Sequence, residues 1–439
     1  MKVLTMSQST TLTIPDVEMF KRNALRWAGT FPVAMALDSN HYNHDHYHSF
    51  DWVLAADALP DPLMVSNHFY TLQDLTSLLA EGRFYFGFIS YDYKNELEAL
   101  TSSNPDRIGF PVTGFFAPRF LFTLNGNRLT INRNYPEAFE LYDQIMHLPQ
   151  KEKTHNHIAT LSCGTDPDTY RSCVNDIRQR IEEGAFYELN YCVEFFAQGV
   201  SLDPYETFFR LNDYAQAPFS AFLKWHDRYL LCASPERFLK KTGQKIISQP
   251  IKGTNRRAAS ETENAVQRQN LLNSEKERAE NVMIVDLVRN DLSRVAIPGT
   301  VQVEELFGVY TFKTVNHLIS TITAQVGENI NPVQILKSAF PMGSMTGAPK
   351  IEVMKYIERY ENFRRGLFSG SVGYFNGCDF DFNVVIRSIL YNAATGAISI
   401  PAGGAITYDS DPEKEYEELM IKIKPMCVAL GVESFVNHQ

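Results

Sequence analysis

The chain has 439 residues, 44% of them hydrophobic, and is long enough for one large two-part fold or two to three ordinary domains. Its 41 basic and 51 acidic residues give a net charge of −10, which opposes non-specific attraction to nucleic acid or anionic membranes and favours a small-molecule or protein partner. Because no apolar run reaches the roughly 18 residues needed to span a bilayer, the N-terminus lacks a signal-peptide core and the six cysteines form no C-x-x-C pair, we expect a cytoplasmic protein.

The first part of the chain, residues 1–155, is predicted to be mainly antiparallel sheet. It contains aromatic strand-like runs at 83–91 and 119–124, the second followed by a turn at Asn125-Gly126-Asn127. A polar stretch at 150–157 then interrupts the pattern. Residues 156–439 mix helices and strands without a βαβ rhythm, and Asp166-Pro167 predicts the start of a helix over 170–181. We expect the two regions to form one intertwined unit.

A histidine-rich segment, HYNHDHYH, contains His41, His44, His46 and His48. Imidazoles are good ligands for zinc, copper or nickel, but this spacing matches no known structural site. A solvated loop is the favoured interpretation.

Two helix-like segments each carry a Glu-x-x-Glu pattern, with Glu277 and Glu280 in the first and Glu415 and Glu418 in the second. Residues three apart share one face of a helix, and two such pairs that converge would suit a hard cation such as Mg²⁺. Ser274 with Glu277 also matches a helix-capping box, and exposed helices commonly carry Glu-Lys ladders. Spacing alone leaves both interpretations open.

Glycine-rich segments with charged neighbours follow at 340–350, 364–374 and 402–405. Glycine lets a backbone N–H approach an anion closely, and the guanidinium of Arg387 fits a carboxylate. A substrate with several carboxylates is the natural hypothesis, although turns and bulges explain the same glycines equally well.

The stretch QPIKGT places Lys252 between an apolar residue and a glycine, just after a strand-like run at 245–248. A lysine at a strand end either extends its amine to water or has a chemical role.

A series of motifs resembles the signatures of the chorismate-utilising enzymes over roughly residues 165–430. The motifs are SPERF, PIKGT, KERAEN, VDLVRND, FPMGSMTGAPK, RRG, GSVGYF and GGAITYDSDPEKEYEE. That family includes anthranilate synthase component I, aminodeoxychorismate synthase component I, isochorismate synthase and salicylate synthase. The resemblance implies an α+β fold with two large antiparallel β-sheets packed face to face, helices outside, and the site in a cleft between the sheets.

Within the family, PIKGT is characteristic of aminodeoxychorismate synthase component I, whereas anthranilate synthase has a small residue in place of Lys252. Water-adding relatives carry a lysine base where this chain has Glu188, so water activation is not expected. The resemblance therefore implies conversion of chorismate and ammonia to 4-amino-4-deoxychorismate, for 4-aminobenzoate and folate synthesis. The alternatives are anthranilate synthase component I and a non-catalytic chorismate-binding homologue.

The implied chemistry gives the lysine a covalent role. If Lys252 attacks C2 of chorismate with loss of the C4 hydroxyl, ammonia attacking C4 expels the lysine and leaves the amine at C4. An attacking lysine must be neutral, so we expect a pKa depressed by burial or by cationic neighbours.

The resemblance assigns further residues to the site. The catalytic residues are Lys252, Glu236 as general acid, and His317. Mg²⁺ is expected on Glu280 and Glu418, with Glu277 and Glu415 as nearby or water-mediated partners. The residues implied in substrate binding are Gly253, Thr254, Phe368, Arg387, Gly403, Gly404 and Lys422.

The sequence departs from the family pattern at three places. Phe368 stands where relatives often have Tyr, Ser344 where Thr is usual, and Asn281 where His is common. The chain also lacks a glutaminase signature such as a cysteine in a G-x-C-x-G elbow. Ammonia is therefore expected from glutamine through a separate amidotransferase subunit.

Overall fold

The structure is a computed structural model that describes residues 9–42, 44–60, 69–149, 158 and 160–437. The polar stretch at 150–157 and the predicted boundary near residue 155 lie outside the described residues.

The strands belong to two large sheets. Their bounds are β1 Thr10–Thr13, β2 Val33–Asp38, β3 Trp52–Ala58, β4 Phe84–Ile89, β5 Thr113–Phe116, β6 Pro118–Asn125, β7 Arg128–Ile131, β8 Thr160–Cys163, β9 Glu188–Ala197, β10 Phe219–Trp225, β11 Arg228–Ser234, β12 Arg237–Thr242, β13 Lys245–Gln249, β14 Ile251–Arg256, β15 Gln302–Thr311, β16 Val315–Gln325, β17 Gly347–Ala348, β18 Ser371–Asn376, β19 Asp379–Asn383, β20 Ser388–Asn392, β21 Ala397–Ile406 and β22 Ser434–Asn437.

The helices lie mostly on the outside of these sheets. Their bounds are α1 Val17–Ala28, α2 Leu75–Leu78, α3 Lys94–Leu97, α4 Glu137–Met146, α5 Pro167–Glu182, α6 Pro204–Ala215, α7 Glu261–Asn273, α8 Glu275–Ser293, α9 Pro332–Ala339, α10 Lys350–Tyr360 and α11 Pro412–Leu430. Among the described residues, none of these helices is both long and apolar enough to cross a membrane.

The first sheet has 13 strands in the order β1-β7-β6-β3-β2-β10-β11-β20-β21-β9-β8-β22, with β17 beside β9. The second has nine strands in the order β14-β16-β13-β12-β19-β18-β4-β5, with β15 beside β16. Neighbouring strands are antiparallel except β8 and β22, which run parallel. Strands from the first 150 residues occur in both sheets.

The protein has two hydrophobic cores, and successive side chains along a strand point alternately into one or the other. In β2, Val33 and Met35 belong to the hydrophobic cluster between the sheets, whereas Ala34 and Ala36 pack in a second cluster beneath the outer helices. Successive strand residues point to opposite faces, so one strand contributes to both cores. The predicted α+β fold with two stacked antiparallel sheets is confirmed.

The histidine-rich loop connects β2 with β3, and its four histidines are exposed. Between them, Asp45 is buried and accepts two hydrogen bonds from the Arg237 guanidinium, at 2.9 and 2.7 Å. The loop is therefore attached to β12 by a buried charge pair.

Candidate active site

A cavity of about 120 Å³ lies between the two sheets and is closed by α8 and α11. Strands β14 and β16 of the second sheet form one wall, and β21 of the first sheet forms another. A cavity of about 150 Å³ can hold a benzene ring, so this slightly smaller, partly open space has a volume of the order of one six-membered ring.

Most of the residues that the sequence assigned to the site line this cavity. They are Glu236, Lys252, Gly253, Thr254, Glu277, Glu280, His317, Phe368, Arg387, Gly403, Glu415, Glu418 and Lys422. Gly404 is not among the lining residues, although a Cβ there would come within 3.3 Å of Lys422 Nζ.

An irregular strand directs Lys252 into the cavity. The pairing of β14 with β16 shifts register between Ile251 and Thr254, and Gly253 has a φ of +100°. Only glycine adopts this conformation readily, and a bulge of this kind re-aims the neighbouring side chains. Asn281 on α8 donates a hydrogen bond to the Lys252 carbonyl at 3.3 Å and thereby ties the strand to the helix.

Lys252 favours its charged form in the structure, whereas the sequence analysis expects a depressed pKa and a neutral amine. Its amine is 8% exposed and donates a hydrogen bond to Glu188 Oε1 at 2.6 Å. Burial favours the neutral amine, but the negative charges of Glu188 and Glu280 outweigh it, so the pKa of Lys252 is raised. The prediction of a depressed pKa is therefore wrong for this structure: the neighbours are anionic, not cationic.

Glu236, in contrast to Lys252, favours its uncharged form. It follows β11, is 4% exposed and faces the same cavity as Lys252. Burial raises the pKa of Glu236 to about 7, while the Ser344 hydroxyl and the Lys252 ammonium act against that rise. A carboxyl group that keeps its proton near neutral pH can act as a general acid.

His317 is held as a neutral ring. Its Nδ1 shares a hydrogen bond of 2.7 Å with the Thr254 hydroxyl, and burial and the nearby Arg387 lower its pKa to about 3. The other ring nitrogen, Nε2, is buried without a hydrogen-bond partner in the described part of the chain. His317 therefore offers one unused polar atom at the cavity wall.

Two cations, Arg387 and Lys422, also line the cavity. Arg387 has a φ of 52°, which is uncommon for a residue with a side chain, and no acidic group of the described residues forms an ion pair with it. Lys422 donates a hydrogen bond to the Gly403 carbonyl at 2.9 Å and pairs with Glu418 at 2.7 Å. The wall beside Gly403 is therefore positively charged and can bind an anion.

The two Glu-x-x-Glu patterns meet at the cavity. The Ser274 side chain caps α8 by accepting a hydrogen bond from the Glu277 backbone, so the capping interpretation also holds. Lys276 on α8 lies 3.7 Å from Glu280 and 3.2 Å from Glu415 on α11, and so links the two helices. Among the described residues, no three acidic, histidine or cysteine side chains are grouped as metal ligands.

The carboxylates nevertheless retain capacity to bind a cation. Glu280 Oε1 is buried and has no hydrogen-bond partner in the described ranges, and burial raises the pKa of Glu280 to about 7. Burial and the charge of Glu418 likewise raise the pKa of Glu277. Lys422 lowers the pKa of Glu418. Since Mg²⁺ is commonly bound through one or two carboxylates, with water and substrate completing its shell, this donor set fits it.

The three departures from the family pattern have different surroundings. Asn281 is fully buried, accepts a hydrogen bond from Ser320 at 2.6 Å and serves as a structural link. Phe368 presents an apolar ring to the cavity, and Ser344 lies beside Glu236.

Sequence reasoning missed two functional neighbours. Lys276 belongs to the KERAEN motif, but its role as a link between helices depends on the distance between α8 and α11. For Glu188, the sequence indicates only that it occupies the place of the lysine base of water-adding relatives, and does not indicate that it contacts Lys252. These two residues lie 64 positions apart, and no local pattern signals their contact.

Comparison with known proteins identifies one family. Residues 34–428 match the family described as chorismate binding enzyme. Aminodeoxychorismate synthase component 1 from Escherichia coli is 42% identical over 257 residues, covering 58% of this chain and 56% of the relative. The same-named protein from Bacillus subtilis is 31% identical over 360 residues, covering 78% of this chain and 76% of the relative.

The match therefore spans a little more than half the length of the Escherichia coli relative and about three quarters of the Bacillus subtilis relative.

Two solved structures share the fold. Anthranilate synthase component I from Streptococcus pneumoniae superposes with a TM-score of 0.72 at 22% identity, covering 96% of this chain and 92% of that chain. The menaquinone-specific isochorismate synthase from Escherichia coli superposes with a TM-score of 0.74 at 16% identity, covering 96% and 94%.

Proposed function

Because the chain belongs to the chorismate-binding enzyme family, we propose that it replaces the C4 hydroxyl of chorismate with an amine, giving 4-amino-4-deoxychorismate. The observation that carries this proposal is a buried lysine, Lys252, beside a buried carboxyl group, Glu236, in a cavity of ring size. Curated relatives that match more than half of this chain are named aminodeoxychorismate synthase. The product would serve 4-aminobenzoate and folate synthesis.

The chemistry proceeds in two displacements. Lys252 Nζ forms a bond to C2 while the ring double bond shifts and the C4 hydroxyl leaves as water, taking its proton from Glu236. Ammonia then attacks C4, the double bond shifts back, and the C2–Nζ bond breaks. The amine at C4 returns a proton to Glu236, so the general acid is restored for the next turnover.

The polar walls orient the substrate. Arg387, Lys422 and the backbone near Gly403 would bind substrate carboxylates, because a guanidinium and an ammonium are suited to them. The buried Nε2 of His317 would hydrogen-bond an oxygen of the substrate, and Thr254 would fix the orientation of that ring. Phe368 would contact the substrate ring.

A magnesium ion is part of the proposal. Glu280 and Glu418 would hold it, with Glu277 and Glu415 close by, and Lys276 would move aside. The ion would supply positive charge for a substrate carboxylate. Glu280 Oε1 supports this assignment, because it has no hydrogen-bond partner among the described residues and only the Lys276 ammonium at 3.7 Å.

The ammonia is proposed to come from a glutamine amidotransferase subunit. The relatives are called component 1, which implies a second component. We assign the reaction to the cytoplasm, since all six cysteines are unpaired, as expected in a reducing compartment.

Product identification tests the proposal. The purified protein is incubated with chorismate, Mg²⁺ and ammonium, and the position of the amine is determined by chromatography and nuclear magnetic resonance. We expect the C4 amine with ammonium and no product with glutamine alone. Lys252→Ala should lose most of the C4 product, whereas Lys241→Ala, which removes a buried lysine paired with Asp379 outside the cavity, should retain it. A wild-type product aminated at C2 would instead identify an anthranilate-forming enzyme.

A further inference from the structure

The ion pair between Lys252 and Glu188 raises a chemical problem for the proposed reaction. Both side chains are buried, with 8% and 3% exposure, and their polar atoms are 2.6 Å apart. A protonated amine has no lone pair and cannot attack carbon. The proton on Lys252 must therefore move to another group before the C2–N bond forms.

The backbone around Glu188 is held by contacts with a neighbouring glycine-rich segment. Glu188 is the first residue of β9. Strand β17 pairs with β9 there, with Ala348 opposite Glu188 and Gly347 opposite Leu189. Gly347 has a φ of +141°, and a Cβ at that position would lie 2.0 Å from the Glu188 carbonyl oxygen. Thr346 accepts a hydrogen bond from the Asn190 backbone at 2.8 Å. The glycine-rich segment therefore fixes the backbone at the start of β9, from which the Glu188 side chain extends to Lys252.

We propose that Glu188 is a catalytic base that takes the proton from Lys252 Nζ and returns it when the lysine leaves C2. This inference rests on the proposed function. The proton moves along the existing hydrogen bond, which leaves a neutral amine and a protonated Glu188. The amine lone pair forms the bond to C2. After ammonia has expelled it, the amine is neutral again and takes back the proton from Glu188.

The other acidic groups around Lys252 are less suited to this role. Those that act on its charge are Glu188, Glu236, Glu277, Glu280 and Glu418. Glu236 must itself be protonated to release the hydroxyl, and the remaining three are assigned to the magnesium ion. Glu188 is the group that hydrogen-bonds the lysine, and it does not line the cavity. It can therefore exchange a proton with Lys252 without contacting the substrate.

A purely electrostatic role predicts the opposite behaviour. If Glu188 only stabilised the ammonium form, Glu188→Gln would lower the pKa of Lys252 and make the amine more reactive at every pH. If Glu188 is the proton acceptor, the glutamine variant depends on solvent to remove the proton. Its reaction should then be slow at low pH and recover as the pH rises.

The experiment measures formation of the Lys252 adduct without ammonia. Protein, chorismate and Mg²⁺ are mixed and quenched over time, and intact-protein mass spectrometry follows the mass increase between pH 6.5 and 9.5. The rate of each variant is divided by the wild-type rate at the same pH, which cancels the dependence on Glu236. For Glu188→Gln we expect a ratio below one tenth at pH 6.5 that approaches one at pH 9.5.

Two further variants complete the test. Glu188→Asp keeps a carboxylate, so its ratio should be reduced but independent of pH; this variant also tests the inference if the glutamine variant does not fold. Glu194→Gln changes another buried carboxylate of β9, which pairs with Arg107 at 2.9 Å, and its ratio should stay flat. A Glu188→Gln ratio at or above one throughout, or an Asp ratio that rises with pH, would overturn the role of Glu188 alone. A wild-type protein that forms no adduct would overturn the covalent mechanism as well.

Discussion

Glu236 and Lys252 show how burial acts on side chains of opposite charge in one cavity. Removal from water disfavours the charged form of both. Glu236 has no close cation strong enough to offset this, and its pKa rises to about 7. Lys252 has carboxylates near it and stays charged. The difference in neighbours, and not in burial, determines that Lys252 stays charged while Glu236 is held largely neutral.

This leads to a prediction for Glu236→Gln. Folding raises the pKa of Glu236 from 4.5 to about 7, so the folded state binds the extra proton and stability falls as the pH rises through this interval. At pH 8 the buried carboxylate opposes folding by up to about 3 kcal/mol. The variant should therefore lose about 100-fold or more in turnover yet melt at a higher temperature than wild type at pH 8, with little difference at pH 4.5.

Glu361→Gln is the control for that measurement. Glu361 is also buried, but it pairs with Arg365 at 2.6 Å. Breaking a buried pair leaves an uncompensated charge, so this variant should be less stable than wild type at pH 8. A Glu236→Gln protein that melts below wild type at pH 8 would contradict the assignment of a destabilising carboxylate.

The positions of the site residues could be predicted from sequence motifs more reliably than their ionisation states. The motif PIKGT singled out Lys252, and SPERF singled out Glu236, and both lie in the cavity. The ionisation of Lys252 was mispredicted because its partner, Glu188, comes from a strand of the other sheet. Burial is visible in a local pattern of residues, whereas an electrostatic neighbour from another strand is not.

At the scale of single elements, an irregularity in β14 positions the reactive side chain. Gly253 combines a φ of +100° with close packing, since a Cβ there would lie 3.0 Å from Glu277 Oε2 and 3.0 Å from Leu318 Cβ. A regular strand would direct Lys252 differently. The bulge at Gly253 therefore determines where the Lys252 amine lies in the cavity.

Gly253→Ala should cost both stability and activity. We expect about 1–2 kcal/mol of lost stability, from the positive φ and the contacts, and a fall of about 100-fold in turnover as Lys252 is displaced. Gly243→Ala is the matched control, because Gly243 has a φ of +58° but no atom lies within 4 Å of its added Cβ. Chemical denaturation and steady-state kinetics of Gly243→Ala should show a smaller stability loss, from the positive φ alone, with full activity. Unchanged turnover in Gly253→Ala would show that the bulge does not position the lysine.

A second prediction at this scale concerns α8 and α11. Glu280→Gln keeps the size of the side chain and removes its charge, so the Mg²⁺ concentration needed for half-maximal turnover should rise by about 10-fold or more. Glu275→Gln, an exposed change in the first turn of α8, should leave that concentration unchanged. Calorimetric titration with Mg²⁺ gives a second readout. Full turnover by wild type in excess chelator would refute the magnesium assignment.

The helices themselves were largely predictable. Asp166 and Pro167 begin α5, and Ser274 caps α8, as their residue types indicate. Lys276, placed between the carboxylates of the two helices, could not be predicted, because helical periodicity gives the face of a residue but not the neighbour across a gap.

Across the fold as a whole, the early part of the chain supplies one end of each sheet and the late part supplies the rest. Strand β2 pairs with β10 in the first sheet, and β4 pairs with β18 in the second. Local alternation predicts strands but does not give this order: Leu230 of β11 pairs with Leu390 of β20, 160 positions away. The order follows from family resemblance and from the structure.

This arrangement predicts that residues 156–439 do not fold alone. Without β1 to β7, each sheet loses the strands at one of its ends, and the core between the sheets is open to water. We expect no cooperative thermal transition from this fragment and recovery of the transition when residues 1–155 are produced with it. A cooperative transition and chorismate turnover by residues 156–439 alone would instead establish an independent catalytic domain.

In the proposed mechanism, Lys252 forms a covalent bond to the substrate. The most direct measurement is peptide mass spectrometry of the protein after reaction with chorismate and Mg²⁺ in the absence of ammonia. We expect Lys252 to carry the mass of chorismate less one water, the adduct to disappear on addition of ammonium, and Lys252→Ala to show none. A wild-type protein that never carries the adduct, together with a Lys252→Ala variant that makes the C4 amine at an undiminished rate, would contradict the account.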